Sequence, residues 1–317
     1  PQALGGELIR IEDFGSNPGT IDMYTYIPDR VHPGAALVVS LHGCNQDATT
    51  YSENGWKDVA EEWNSVVIYP EQRKSNNPLR CWNWFRAEDA QRGRGEAKSI
   101  RQMIDAALQR YPINKDHIYI EGLSAGGWMA AVMLACYPDV FSGGATIAGG
   151  PAFCALTHRH FWDVFGMWNT FQSTVQTNRC MDGLDREASR WRQLVESKGF
   201  SGYSGKWPRI SIWHGSGDNR VHPEMQQELL EQWTSLHGID SVAERSEKLG
   251  PGMKATRKGF QNEQGAVLVE TFRIQGMGHG LPIADKPSSD CGTESEYIIE
   301  AGICAVRHIG RFWGLNR

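Results

Sequence analysis

This sequence predicts an α/β fold with a doubly wound, mostly parallel sheet, and two observations carry that expectation. Short, nearly continuous apolar runs recur along the 317 residues, and amphipathic segments of helical length lie between them. Apolar residues make up 40% and charged residues 22% of the chain, the balance of a protein that buries a core. A single domain over residues 1–317 is expected. Single α/β domains of this length are common, and no repeat, linker or low-complexity tract divides the sequence.

Residues 37–41, 66–69, 117–120, 145–148, 210–213 and 267–274 read as strands. The first four are almost unbroken apolar runs, which suits strands covered on both faces by helices. Residues 7–11 and 22–27 alternate more and are expected as antiparallel edge strands. Ile100, Met103, Ile104, Ala107 and Leu108 repeat at three-and-four spacing and give a helix one apolar face. Residues 124–136 and 223–237 also read as helices, the second with Pro223 in its first turn. Residues 151–190, rich in aromatic and polar side chains, are expected to form a cap or lid insertion between sheet strands. Residues 250–265 read as a loop or hairpin tip.

The formal charge of -5, with no run of like charges, gives no pull toward nucleic acid or an acidic membrane. No apolar stretch approaches the length of a membrane helix; residues 129–136 come nearest and are far too short. A signal peptide, if one existed, is absent from this chain. Seven cysteines at scattered positions, an odd total with no Cys-x-x-Cys pair, suggest three disulfides, one free thiol and an oxidising compartment. His158 and His160 lack a third ligand at sensible spacing and read as loop histidines, so no metal is expected.

The sharpest chemical signal is Gly122-Leu123-Ser124-Ala125-Gly126-Gly127, which follows one expected strand and opens an expected helix. That is the setting of a nucleophile elbow and narrows the fold to the α/β-hydrolase type. A serine hydroxyl is a poor nucleophile at neutral pH, so a base must take its proton and a carboxylate must hold that base in one tautomer. In such folds these follow in the order serine, acid, histidine. The strand at 210–213 runs into His214-Gly215-Ser216-Gly217-Asp218, which makes Asp218 the candidate acid. Asp182, Asp185, Asp240 and Asp285 follow no strand and read as solvated. Gly276-Met277-Gly278-His279-Gly280 follows the strand at 267–274, which makes His279 the candidate base. His214 reads as a packing residue and His222 as a loop residue. For the oxyanion, the backbone N–H of Ala125 and that of Cys44 in Leu41-His42-Gly43-Cys44-Asn45-Gln46 are the candidate donors. His42 is expected to shape that loop. No cofactor is needed for this chemistry.

These motifs, with Cys81-Trp82-Asn83-Trp84-Phe85 and Arg92-Gly93 near Gly95-Glu96-Ala97, resemble the catalytic domain of extracellular poly(3-hydroxybutyrate) depolymerases. Those enzymes are relatives of the carbohydrate esterase family 1 feruloyl and acetylxylan esterases. The resemblance covers about residues 10–315 with its motifs in order. It implies a secreted or periplasmic serine esterase acting on poly(3-hydroxybutyrate) or its oligomers, with the same triad, and disulfides Cys44–Cys81, Cys154–Cys180 and Cys291–Cys304, leaving Cys136 free. Asn45, Trp82, Trp84 and Trp128 are candidate substrate contacts. No linker or substrate-binding domain is seen, which favours soluble oligomers or amorphous polymer. Three alternatives remain: a poly(aspartic acid) hydrolase, if Arg73, Lys74, Arg80, Arg86, Arg92 and Arg94 line the cleft; a feruloyl or acetylxylan esterase; and a silent polymer-binding hydrolase fold.

Overall fold

A strand with apolar residues at every position has two faces to bury, because successive side chains point to opposite sides. The computed structural model of the protein describes residues 8–156, 167–284 and 291–315, without the side chains of 167–173. The described strands are β1 (Leu8–Ile11), β2 (Asp22–Tyr26), β3 (Ala35–Leu41), β4 (Ser65–Glu71), β5 (Ile113–Leu123), β6 (Gly143–Ile147), β7 (Arg209–Gly215), β8 (Arg245–Leu249), β9 (Ala255–Gln261), β10 (Val267–Ile274), β11 (Leu281–Ile283) and β12 (Ile298–Glu300). The helices are α1 (Ala48–Tyr51), α2 (Trp56–Ala60), α3 (Gly95–Arg110), α4 (Ala125–Cys136), α5 (Met167–Met181), α6 (Ala188–Lys198), α7 (Met225–His237) and α8 (Ala305–Trp313).

Ten strands form one sheet in the order β1-β2-β4-β3-β5-β6-β7-β10-β9-β8. The six central strands, from β4 to β10, are parallel; β1 and β2 at one edge, and β9 and β8 at the other, are antiparallel. The expected edge strands therefore pair as anticipated. Alternate side chains of one strand enter different cores. Leu37, Val39, Ile68 and Ile120 pack with α3, α4, α6 and α7, while Val38, Val67, Tyr69 and Tyr119 pack with α1, α2 and α8. Every residue of α4 is buried, so this helix is apolar all round rather than on one stripe.

Two expectations need correction. Residues 250–265 are not simply a loop: Ala255–Gln261 is strand β9, antiparallel to β10, and only the Gly265 turn is a hairpin tip. Its sequence hid this because Thr256, Arg257 and Lys258 sit on a partly solvated ribbon near the sheet edge, where an apolar run is not required. The strand expected at 117–120 runs from Ile113 to Leu123. Its polar stretch Asn114 to Asp116 is what the apolar criterion passed over. In the proposed cap, α5 and the start of α6 are helical, and Phe161, Trp162, Phe165 and the histidines at 158 and 160 lie outside the described residues. Trp168 and Phe171 lie in α5, but their side chains are not among those described.

Central strand β5 carries a buried carboxylate, Glu121, three residues before Ser124. Ser40 Oγ donates to it at 2.5 Å and Tyr51 OH at 2.9 Å. Burial still pushes its pKa from 4.5 up to about 7, with those donors only partly opposing the shift. A carboxyl raised in this way binds more protons folded than unfolded. Stability is therefore full below the unfolded pKa and is lost as pH rises from about 4.5 through about 7. The Glu121→Gln variant should escape that loss, gaining roughly 2 kcal/mol on the wild type between about pH 5 and pH 8. Urea unfolding of both proteins at the two pH values is the check, and a constant difference would contradict it.

Candidate active site

Parallel strands end on the same edge of a sheet, so loops leaving their carboxyl ends share one rim. Leu41 of β3 lies opposite Gly122 of β5, and His214 and Gly215 of β7 lie opposite Arg273 and Ile274 of β10. The four candidate segments therefore leave neighbouring strand ends. At the elbow, Ser124 has φ 57° and ψ -119°, a strained conformation for a residue with a side chain. Its N–H donates to Ile147 O at 2.8 Å, which anchors the turn to β6. A Cβ on Gly122 would fall 2.2 Å from Gly126 O, and one on Gly126 would fall 2.2 Å from Leu41 O. Only glycine fits at either position, which is why the turn can be this sharp.

Asp218 is 6% exposed. Its Oδ1 accepts from the Arg220 and Val221 N–H groups at 2.9 and 3.0 Å, and its Oδ2 accepts from His279 Nδ1 at 2.7 Å. Burial alone would raise its pKa, but His214, His279 and the Val221 N–H hold it well below the usual carboxylate range. An ionised carboxylate only accepts, so the His279 Nδ1 carries the proton and its Nε2 presents a lone pair. His214 corrects the sequence reading: it is more than a packing residue, since its Nε2 lies 3.3 Å from Asp218 Oδ2 and 3.1 Å from Val221 O. A histidine four positions before the acid carried no signal that distinguished it from a core residue. His222 behaves as a loop residue, exposed and capping its own turn through Nδ1 to the Glu224 N–H.

Ser124 and His279 line one cavity of about 320 Å³. Gly43, Cys44, Asn45 and Ala125 line it as well. Neither the Cys44 N–H nor the Ala125 N–H has a hydrogen-bond partner among the described residues. His42 shapes the loop as expected: it is buried, its Nε2 accepts from the Gln72 N–H at 3.0 Å, and burial lowers its pKa to about 4. Asn45 adopts φ 65° while its N–H donates to Leu79 O at 2.7 Å, a left-handed position that asparagine tolerates.

The tryptophans divide. Trp84 and Trp128 stack at 4.6 Å and line the cavity. Trp82 does not line it: fully buried, it donates from Nε1 to His42 O at 3.0 Å and so braces the loop from below. In an extended stretch the two indoles of a Trp-x-Trp pair would share a face, but the chain turns at Trp84, where the Arg86 N–H donates to Asn83 O at 2.9 Å, and the sequence could not show that turn. Leu79, Phe85, Thr177, Met181, Arg220 and Tyr297 complete the wall and were not anticipated. None of the six clustered cations lines the cavity. Arg73 pairs with Asp22, Arg80 with Asp47 at 2.9 Å and Arg92 with Asp139 at 2.6 Å.

All three disulfides implied by the resemblance are formed, and Cys136 is a buried free thiol. Cys44–Cys81 ties the loop over the cavity to the stretch of residues that carries Trp82 and Trp84. No group of three or more potential metal ligands occurs among the described residues, and none of their helices is long and apolar enough to cross a membrane.

A family model described as Esterase PHB depolymerase matches residues 24–160. Poly(3-hydroxyalkanoate) depolymerase C of Paucimonas lemoignei is 40% identical over 310 residues, covering 97% of this chain and 70% of that protein. The chain belongs to the PHB depolymerase esterase family. It is thus a hydrolase of the esterase class. An acetylxylan esterase of Coprinopsis cinerea is 30% identical over 286 residues, covering 89% of this chain and 71% of that protein. Among solved structures, the acetyl xylan esterase from Aspergillus awamori has a TM-score of 0.78 at 24% identity, covering 98% of this chain and 100% of that one. At that identity the likeness speaks for the α/β-hydrolase fold.

Replacing both Cys44 and Cys81 by alanine should cost about 2–4 kcal/mol of stability, measured by urea unfolding, because the closed loop no longer restricts the unfolded chain. The turnover of a soluble ester by the folded variant should fall as well, since the Cys44 N–H is no longer pinned. Unchanged turnover would show that the bridge is structural only.

Proposed function

We propose that this esterase cleaves poly(3-hydroxybutyrate) or its oligomers through an acyl-enzyme on Ser124. The observation that carries the reading is the 2.7 Å bond from His279 Nδ1 to a buried, ionised Asp218 beside the cavity that Ser124 lines. In this reading His279 Nε2 takes the Ser124 proton as Oγ attacks the ester carbonyl. The same nitrogen then protonates the departing alcohol, and a water molecule repeats the sequence to free the acyl group. Asp218 stays ionised throughout and stabilises the imidazolium. The Cys44 and Ala125 N–H groups bind the oxyanion, each contributing a factor of about a hundred to a thousand in rate.

The substrate assignment rests on two supports. The Paucimonas lemoignei relative is named for poly(3-hydroxyalkanoate). The cavity wall of Leu79, Trp84, Phe85 and Trp128 offers apolar and aromatic surface to a chain of methyl-bearing ester units. Leu79 is 58% exposed, so the apolar surface continues out to the rim. An anionic polymer finds less support, because none of the six clustered cations that would have favoured it lines the cavity and three of them pair with carboxylates. Residues 1–317 act as one catalytic unit in this reading, with 151–190 as its cap. The three disulfides suit a secreted or periplasmic location.

Incubation with a fluorophosphonate probe should label the wild type and not Ser124→Ala. Clearing of amorphous poly(3-hydroxybutyrate), release of ferulate from methyl ferulate and shortening of poly(aspartate) then separate the substrates. The polyester should be cleared and Ser124→Ala should lose at least about a thousandfold in rate. Cleavage of a competitor with the polyester untouched would overturn the substrate. Asp218→Asn should lower kcat by about 10⁴ with KM little changed, because the imidazole loses the partner that fixes its tautomer.

A further inference from the structure

Among the described residues that line the cavity, Arg220 is the one lysine, arginine, aspartate or glutamate. It is exposed, and unlike Arg73, Arg80 and Arg92 it forms no ion pair with any described carboxylate. Its guanidinium carbon lies 5.2 Å from the centre of the Tyr297 ring. That stacking holds a cation in place without neutralising it, which leaves its N–H fork available to an incoming acceptor.

Both ends of this arrangement are fixed to the catalytic centre. The Arg220 N–H donates to Asp218 Oδ1 at 2.9 Å, so its backbone is part of the turn that carries the acid. Tyr297 stands edge-on to His279 with ring centres 5.8 Å apart. It has φ 61° and directly precedes β12, which pairs with β11 just beyond His279. Imidazole, phenol ring and guanidinium thus stand in sequence along one side of the cavity.

That side has a chemical meaning if the triad works as proposed above, on which this inference rests. The imidazole hands its proton to the departing alcohol oxygen, so the departing half of the ester must lie against His279. In a poly(3-hydroxyalkanoate) the departing half is a hydroxyacyl chain running toward the carboxyl end. When the scissile bond is one or two units from that end, the departing fragment carries a free carboxylate, and the cation lies in the direction in which it extends. We infer that Arg220 binds this terminal carboxylate and directs cleavage to ester bonds near the carboxyl end of short chains. Arginine suits this role, because its planar fork matches a carboxylate and stays charged at any working pH. A largely apolar cavity would gain little from a cation with no described counter-charge if only neutral mid-chain segments passed through it.

The test compares kcat/KM for the trimer of 3-hydroxybutyrate as its free acid and as its methyl ester, at low and high salt. For the wild type the acid should be favoured about tenfold, and the preference should shrink as salt screens the contact. In Arg220→Gln the acid-to-ester ratio should fall to near one, and Arg220→Lys should restore part of it with weaker geometry. An unchanged ratio in Arg220→Gln, or a wild type that does not distinguish acid from ester, overturns the inference and leaves the polyesterase reading intact. Failure to cleave either trimer, with methyl ferulate or acetylated xylan hydrolysed, overturns both. A general folding defect would lower both rates together and leave the ratio and its salt dependence in place, which also counts against a specific role for Arg220.

Discussion

A carboxylate held out of water sets the terms for much of this molecule. Asp218 keeps its charge while 6% exposed only because two backbone N–H groups and two imidazoles converge on it. An isolated buried charge would neutralise itself instead. Satisfying it dictates the path of the loop after β7, the orientation of His279 and the position of His214. It also locks the nearby Gly217 N–H onto Met277 O at 2.9 Å, joining the acid loop to the histidine loop. A Cβ on Gly215 would fall 2.2 Å from that same carbonyl, so the two loops approach as closely as backbone allows.

The opposite half of the site is organised by strain rather than charge. Ser124 occupies a backbone conformation that costs about 1–3 kcal/mol, and the packed sheet around it supplies the compensation. That compensation comes from the glycines that admit Gly126 against β3, from the bond between Ser124 N–H and Ile147 O, and from a following helix buried on every side. The loop across from it is held by a disulfide, by the Trp82 indole on His42 O and by His42 itself on the Gln72 N–H. Each constraint limits the donors of the cavity to one arrangement before any substrate arrives, and a preorganised site has less reorganisation to perform during reaction.

Specificity sits in the part of the site that carries neither strain nor buried charge. The cavity wall is assembled from Leu79 and Phe85 after β4, Trp128 on α4, Thr177 and Met181 on α5, Arg220 on the acid loop and Tyr297 before β12. Relatives in this family are named for different esters, while the strand ends that present the serine, acid and histidine are common features of the fold. Differences in ester preference then belong to loops that can change without disturbing Asp218 or the elbow.

The sequence by itself determined the parallel centre of the sheet, the elbow at Ser124 and the pairing of Asp218 with His279. Apolar runs, glycine placement and strand-to-loop order are local, and each follows from steric or solvation rules that operate over a few residues. Tertiary structure alone decided that β9 is a strand, that His214 reaches Asp218 and that Trp82 turns away from the cavity while Trp84 turns in. It alone showed that Arg73, Arg80 and Arg92 find carboxylates and stay out of the cavity, while Arg220 lines it and pairs with no described carboxylate. Those outcomes depend on which side chains meet across segments distant in the chain, and no spacing along a single segment encodes a meeting of that kind.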